Sequence, residues 1–176
     1  HAILKKYCDK ILVAGFSTGA GLALQSVILK PHDFEAVIAV SAPLKFKSFS
    51  SRFAEVLNAF NRFCHSRGVN TLARDYIKND ADNPHINYLL CPVSAFVQVK
   101  KLMKKVNRSL PDIRIPALVI QAKNDPKVAP QSGPEIFRRL GTNKKRFAWI
   151  DHDLHGIVRG NISGMVFKEV ELFFVE

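Results

Sequence analysis

Four short runs rich in Val, Ile and Ala recur along the chain: Ile11–Ala14, Ala36–Val40, Ala117–Gln121 and Phe147–Ile150. Each is apolar at consecutive positions, which is how a strand buried on both faces of a sheet reads. The first is followed by GLALQSVILK, whose Leu22, Leu24, Val27, Ile28 and Leu29 predict a largely buried helix that stops before Pro31. The third is followed by Pro134–Leu140, with Gly141 just beyond it in the usual place of a helix C-cap. Strands alternating with helices at this spacing predict a parallel sheet built from right-handed crossovers, so the fold class is α/β.

The stretch from Pro43 to Leu110 does not fit a crossover helix and reads as an insertion. Within it, SSRFAEVLNAFNRFCHS spaces Phe53, Val56, Leu57, Phe60 and Phe63 at three- and four-residue intervals, the pattern of an amphipathic helix with an aromatic stripe. VSAFVQVKKLMKKV repeats the pattern with Phe96, Val99, Leu102, Met103 and Val106. Together they predict a helical cap over residues 44–110, inserted between core segments 1–43 and 111–176. The plainer expectation for the aromatic stripe is packing of the cap on the core, ahead of direct ligand contact.

Length and composition bound the rest. At 176 residues and 47% hydrophobic, the chain is long enough for one domain with a sizeable core. No stretch approaches the roughly 18 consecutive apolar residues of a membrane-spanning helix, and the opening HAILKKYCDK carries no signal core, so the start at His1 reads as a cut. The net charge of +11 favours anionic partners, but the basic residues come in short pairs without a nucleic-acid-binding signature, and a solvated surface is the expectation. Cys8, Cys64 and Cys91 are odd in number and widely spaced, which points to neither disulfides nor zinc and fits a reducing cytoplasm.

The first apolar run ends in Gly15-Phe16-Ser17-Thr18-Gly19. Such a pentapeptide arises by accident in roughly one chain in twenty of this length, so its placement carries the weight. Between a strand and a helix, a Gly-x-Ser-x-Gly turn forces the serine into a strained conformation that exposes its hydroxyl, with small residues required on both flanks. The following helix aims its N-terminus at the same point, where the backbone N–H of Thr18 is placed to stabilise an oxyanion. Ala20 and Gly21 are expected to let that helix sit close to the strands.

A serine nucleophile on such a turn needs an acid and then a histidine later in the chain, each at a strand end. IPALVIQAKNDPKVAP presents Asp125 in a turn flanked by Pro126 and Pro130, and KKRFAWIDHDLHGIV presents His155 in a loop before the last helix. In the assembled site His155 takes the proton of Ser17 while Asp125 fixes its tautomer. His152 is an alternative base, but it follows the strand directly and has less loop with which to reach back. Asp151 and Asp153 are alternative acids, but neighbours of the histidine on a short loop rarely meet its Nδ1. His1, His32, His65 and His85 lack a matching context and read as surface or capping residues.

On LVAGFSTGAGLAL, AVIAVSAP, IPALVIQAKNDPKVAP, HDLHGIVRG and the cap segment NPHINYLLCPVSAFVQVKKLM, the chain resembles the C-terminal part of an α/β-hydrolase of the bacterial carboxylesterase and monoacylglycerol lipase group. The resemblance covers essentially the whole chain and is more specific for fold and site than for substrate. It implies a serine hydrolase acting on carboxylic esters of short or medium acyl chains or on monoacylglycerols, with no cofactor or metal and with Phe16 touching the substrate. It also implies about four strands before the Ser17 turn and a second oxyanion donor after the third of them, neither of which the 176 residues contain. A sheet that starts at the Ser17 strand exposes an edge, to be covered by an N-terminal portion or by self-association. Thioesterase, lysophospholipase, acyltransferase or peptidase chemistry on the same residues, and a non-catalytic binding module, are the rival expectations.

Overall fold

The β-branched runs become the strands of one parallel sheet. The computed structural model describes residues 1–47, 53–78 and 88–175. Its sheet has the order β1-β2-β5-β6, made of β1 (Leu12–Phe16), β2 (Ala36–Val40), β5 (Ala117–Ala122) and β6 (Lys145–Ile150). Three parallel ladders run through Phe16↔Val40, Val40↔Ile120 and Ala122↔Ile150 at their C-terminal ends. Helices α1 (Thr18–Leu29) and α4 (Ser132–Arg139) make the β1-to-β2 and β5-to-β6 crossovers, and α5 (Ser163–Val175) closes the chain.

The period-two alternation of the strands sends their side chains into two cores. On one face Val37, Ala39, Ala117 and Val119 meet Ala20, Ala23, Leu24 and Val27 of α1 and Ile136 of α4. On the other Ile38, Val40, Leu118, Ile120, Ala148 and Ile150 meet Ile157 of the loop after β6 and Val166 of α5. Strands β2 and β5 are buried at every position, as expected of central strands. β1 departs from the expectation of burial on both faces: Leu12 is 48% exposed, because among the described residues β1 is an edge strand. Helix α1 is likewise less buried than expected. Leu22 and Leu29 face solvent, since only one stripe of a helix can reach the sheet.

The chain divides into two compact units, one of His1–Lys47 with Leu102–Glu176 and one of Ser48–Lys101. The second contains α2 (Ala54–Ser66), the antiparallel pair β3 (Tyr76–Lys78) and β4 (Leu90–Pro92), and the start of α3 (Val93–Ser109). Its small core is Ala54, Val93 and Val97, with Leu57, Ile77 and Phe96 against it. The face of α2 that is buried is Ala54, Asn61 and Cys64, whereas Phe53, Val56, Phe60 and Phe63 of the expected stripe are exposed. Asn61 explains the choice: its side chain donates to the Arg74 carbonyl at 2.8 Å and accepts from the Arg74 N–H at 3.0 Å. His85 and the N-P-x-I-N part of the cap segment, residues 83–87, lie outside the described residues, as do residues 50–52 before α2.

Gly141 follows α4, but its backbone is not left-handed. Glycine is needed there for room, because a Cβ would stand 1.9 Å from the Pro111 carbonyl oxygen. Cys8, Cys64 and Cys91 are free thiols, and no helix among the described residues is long and apolar enough to cross a membrane.

Candidate active site

The turn from β1 into α1 is built by its glycine and by strain. A Cβ on Gly15 would lie 2.1 Å from the Gly19 carbonyl oxygen and 2.6 Å from the Ala20 nitrogen, so strand and helix backbones approach as only glycine permits. A Cβ on Gly19 would meet nothing within 4 Å, so the requirement for a small residue falls on one flank, not both. Gly21 faces Leu102 of α3, at 3.3 Å from its would-be Cβ, and not the strands; Ala20 is fully buried in the core under α1.

Ser17, between them, has φ 54° and ψ −122°, a left-handed conformation that costs a side-chain-bearing residue about 1–3 kcal/mol. Its N–H donates to the Val40 carbonyl at 2.8 Å and its own carbonyl accepts from Ala20 at 3.0 Å, which pins the strained residue between β2 and the first turn of α1. Thr18 is the first residue of α1, so its N–H is among those a helix leaves without an intrahelical partner, at the positive end of the helix dipole.

The loops after β5 and β6 bring two more groups to this point. His155 Nε2 lies 2.7 Å from Ser17 Oγ, and its Nδ1 lies 2.7 Å from Asp125 Oδ2. An ionised Asp125 only accepts, so Nδ1 carries the ring proton, and Nε2 is left to accept from the Ser17 hydroxyl. Asp125 has no exposed surface. Burial pushes its pKa up, but the hydrogen bond from His155, the Val128 N–H, the charge of His155 and the Lys127 N–H together outweigh burial and hold it below the ordinary value. Both N–H groups bind Oδ1, at 2.8 Å from Lys127 and 2.9 Å from Val128.

The structure thus brings Ser17, His155 and Asp125 into one chain of contacts and puts the alternatives elsewhere. Asp151 pairs with Lys123 at 3.4 Å, Asp153 accepts from Asn124 Nδ2 at 2.7 Å, and the His152 carbonyl accepts from the Asn124 N–H. His65 bonds Asn70 and Asp75 in the second unit. Phe16 stands beside the cluster with its ring centroid 4.8 Å from that of His155. A further side chain meets it without having stood out in the sequence: Gln121, whose Nε2 is 3.4 Å from Asp125 Oδ2. Chemically, the arrangement offers a hydroxyl with a proton acceptor in contact, a buried anion that steadies the resulting imidazolium, and a helix N-terminus beside the oxygen.

The family model described as serine aminopeptidase, S33 (Hydrolase_4), matches residues 1–160. A thermostable monoacylglycerol lipase of Bacillus sp. (strain H-257) is 24% identical over 157 residues, covering 86% of this chain and 57% of that protein. A carboxylesterase of Bacillus subtilis (strain 168) is 22% identical over 171 residues, covering 94% and 63%. The chain therefore spans about three fifths of the length of these relatives. Among solved structures, one of LipS and LipT, two metagenome-derived lipolytic enzymes, superposes with a TM-score of 0.80 at 19% identity over 99% of this chain and 69% of that one. At that identity the likeness shows the fold, an α/β-hydrolase.

Proposed function

Because this chain belongs to the serine aminopeptidase S33 family (Hydrolase_4), within the α/β-hydrolases, we propose that it carries the nucleophile, base and acid of a serine hydrolase acting on carboxylic esters. The observation that supports this most is the unbroken relay Ser17 Oγ, His155 Nε2, His155 Nδ1, Asp125 Oδ2, with both contacts at 2.7 Å and the serine strained at a helix N-terminus. The relatives named as a monoacylglycerol lipase and a carboxylesterase support carboxylic esters, monoacylglycerols among them, as the substrate class, and short or medium acyl chains are part of the proposal.

In this reading Ser17 Oγ attacks the ester carbonyl as His155 Nε2 takes its proton. The carbonyl oxygen, now an oxyanion, accepts from the Thr18 N–H. Collapse breaks the bond to the alcohol oxygen, which leaves with the proton that His155 returns, and the acyl group stays on Ser17. Water, deprotonated by His155, then releases the acid and regenerates the serine. Asp125 remains ionised throughout, and Phe16, packed on His155, lines the acyl side. An oxyanion donor of this kind typically accounts for about a hundred- to a thousandfold in rate, and the Thr18 N–H is given that share.

The test is labelling with a fluorophosphonate probe, followed by turnover of p-nitrophenyl esters of increasing chain length. Labelling at Ser17 that disappears in Ser17→Ala, with turnover of short or medium esters, is the expected result. Absence of labelling in a protein that contains this chain and folds would sink the proposal in favour of a binding module. Preference for acyl-CoA over monoacylglycerol would move the substrate to thioesters.

A further inference from the structure

Gln121 is the only polar residue of β5, has no exposed surface, and stands four residues before Asp125. Room for it is made by Gly133 of α4, where a Cβ would come within 2.8 Å of Gln121 Cβ and 3.0 Å of Phe147. An amide placed in such a core is costly unless it is bonded. Chemistry fixes which way it faces: Nε2 lies 3.4 Å from both the Ala122 carbonyl and Asp125 Oδ2, two acceptors, so the flipped amide would set oxygen against oxygen. The amide oxygen, in turn, finds no partner among the described residues. β5 therefore keeps a buried amide whose hydrogen-bonding use lies on its nitrogen, toward the Asp125 oxygen that His155 holds at 2.7 Å.

We propose that Gln121 is a positioning residue: its amide holds Asp125 Oδ2 in line with His155 Nδ1 and tempers the carboxylate that His155 feels. The proposal rests on the reading of Ser17, His155 and Asp125 as the reacting set. With Lys127 and Val128 N–H groups on Oδ1 and Gln121 and His155 on Oδ2, both oxygens are fixed, and Gln121 is the side chain that shares the oxygen bonded to the base. Of the charged groups in the same two loops, Lys123 pairs with Asp151 and Asp153 accepts from Asn124, all of them exposed, and Lys127 is half-buried with its backbone N–H on Asp125 Oδ1. Gly133 of α4 stands against Gln121, and on β6 Trp149 is its partner in register, with Phe147 also beside Gly133; none of the three carries a charge.

Gln121→Met keeps the length and removes the donor. A less neutralised carboxylate then binds the imidazolium more strongly. The downfield NMR signal of the His155 Nδ1 proton, which reports its hydrogen bond to Asp125, shifts, and the acid limb of Ser17 labelling by the fluorophosphonate probe moves up by about half a pH unit. Gln121→Glu restores a donor only while its carboxyl is protonated. Its labelling rate therefore falls with rising pH where the wild type holds steady, as two carboxylates come to face each other. A side chain that merely packs would lower the melting temperature in both variants and leave both pH profiles in place, and that result overturns the proposal. Should Gln121→Met fail to fold, a wild-type pH profile in Gln121→Glu overturns it equally. A wild-type protein that is never labelled refutes the nucleophile reading, and the His155 Nδ1 proton signal, changed or unchanged in Gln121→Met, still decides the role of Gln121.

Discussion

Asp125 is a fully buried carboxylate whose pKa is nonetheless depressed, because His155 and two backbone N–H groups prefer its charged form. Below its ordinary value of 3.8 the unfolded chain binds a proton that the folded chain still refuses, so stability rises with pH across that window. The contribution is fully present above the ordinary value and is lost as the pH falls through the lower, folded-state value. Melting temperature measured against pH is expected to drop steeply there in the wild type and to flatten in Asp125→Asn. The same variant offers His155 an amide in place of an anion and is expected to cut the rate of Ser17 labelling on the order of 10³–10⁴-fold. At Gly15, a Cβ must displace the Gly19 carbonyl, so Gly15→Ala is expected to cost about 3 kcal/mol in urea unfolding. Gly19→Ala, with open space around its Cβ, is expected to cost nothing or to stabilise the helix slightly. That Ser17, Asp125 and His155 meet could be expected from the sequence, from their order and their places at strand ends. The place of Gln121 could not, because a polar residue at the end of an apolar run reads as the end of the strand, and only the packing around Gly133 shows it to be inside.

At the scale of elements, periodicity found α2 and α3 but not which residues of α2 are buried: of its expected stripe, Leu57 packs against the small core while the aromatic residues are exposed. Phe53, Phe60 and Phe63 outweigh Ala54, Asn61 and Cys64 in any hydrophobic count, while the two hydrogen bonds of Asn61 to Arg74 are invisible to it. A second tie joins the same helix to the same segment: His65 meets Asn70 Oδ1 at 2.7 Å with Nδ1 and the Asp75 carboxylate at 2.9 Å with Nε2. Oxygens at both ring nitrogens favour the doubly protonated ring, and the Asp75 and then the Asn70 hydrogen bonds raise its pKa above 6.5. A raised folded-state pKa means that the stabilisation is complete below the unfolded value and is lost as pH rises through the folded one. His65 is thus expected to titrate above 6.5 by NMR, to return toward that value in Asp75→Asn, and to leave the amides of residues 70–75 exchanging faster as it deprotonates. Gly141 shows the same limit of pattern reading. Its position after α4 was legible, but its reason, the Pro111 carbonyl contributed by a distant part of the chain, was not.

For the whole molecule, the α/β class and the parallel sheet could be read from the four apolar runs. What the runs hid is that β1 is half exposed, since an edge strand in an α/β sheet carries the same Val and Ala as a central one. Parallel strands normally lie covered, and β1, paired on one side only among the described residues, presents Leu12 at 48% exposure together with its free ladder groups. Exposed Phe167, Phe174 and Val175 of α5 add apolar surface. Against association stands the net charge of +11, whose repulsion acts over roughly 10 Å at 0.1 M salt and shrinks as salt is added. Edge pairing and charge repulsion therefore pull in opposite directions, and salt selects between them. The 176-residue chain is expected to sediment as a monomer at low ionic strength and to associate as salt rises. Leu12→Lys, which puts a charge on the edge, is expected to suppress that association without lowering the melting temperature by more than about 1 kcal/mol equivalent. A chain that stays monomeric at every salt concentration, or an association that Leu12→Lys leaves unchanged, would place the sticky surface elsewhere than on β1.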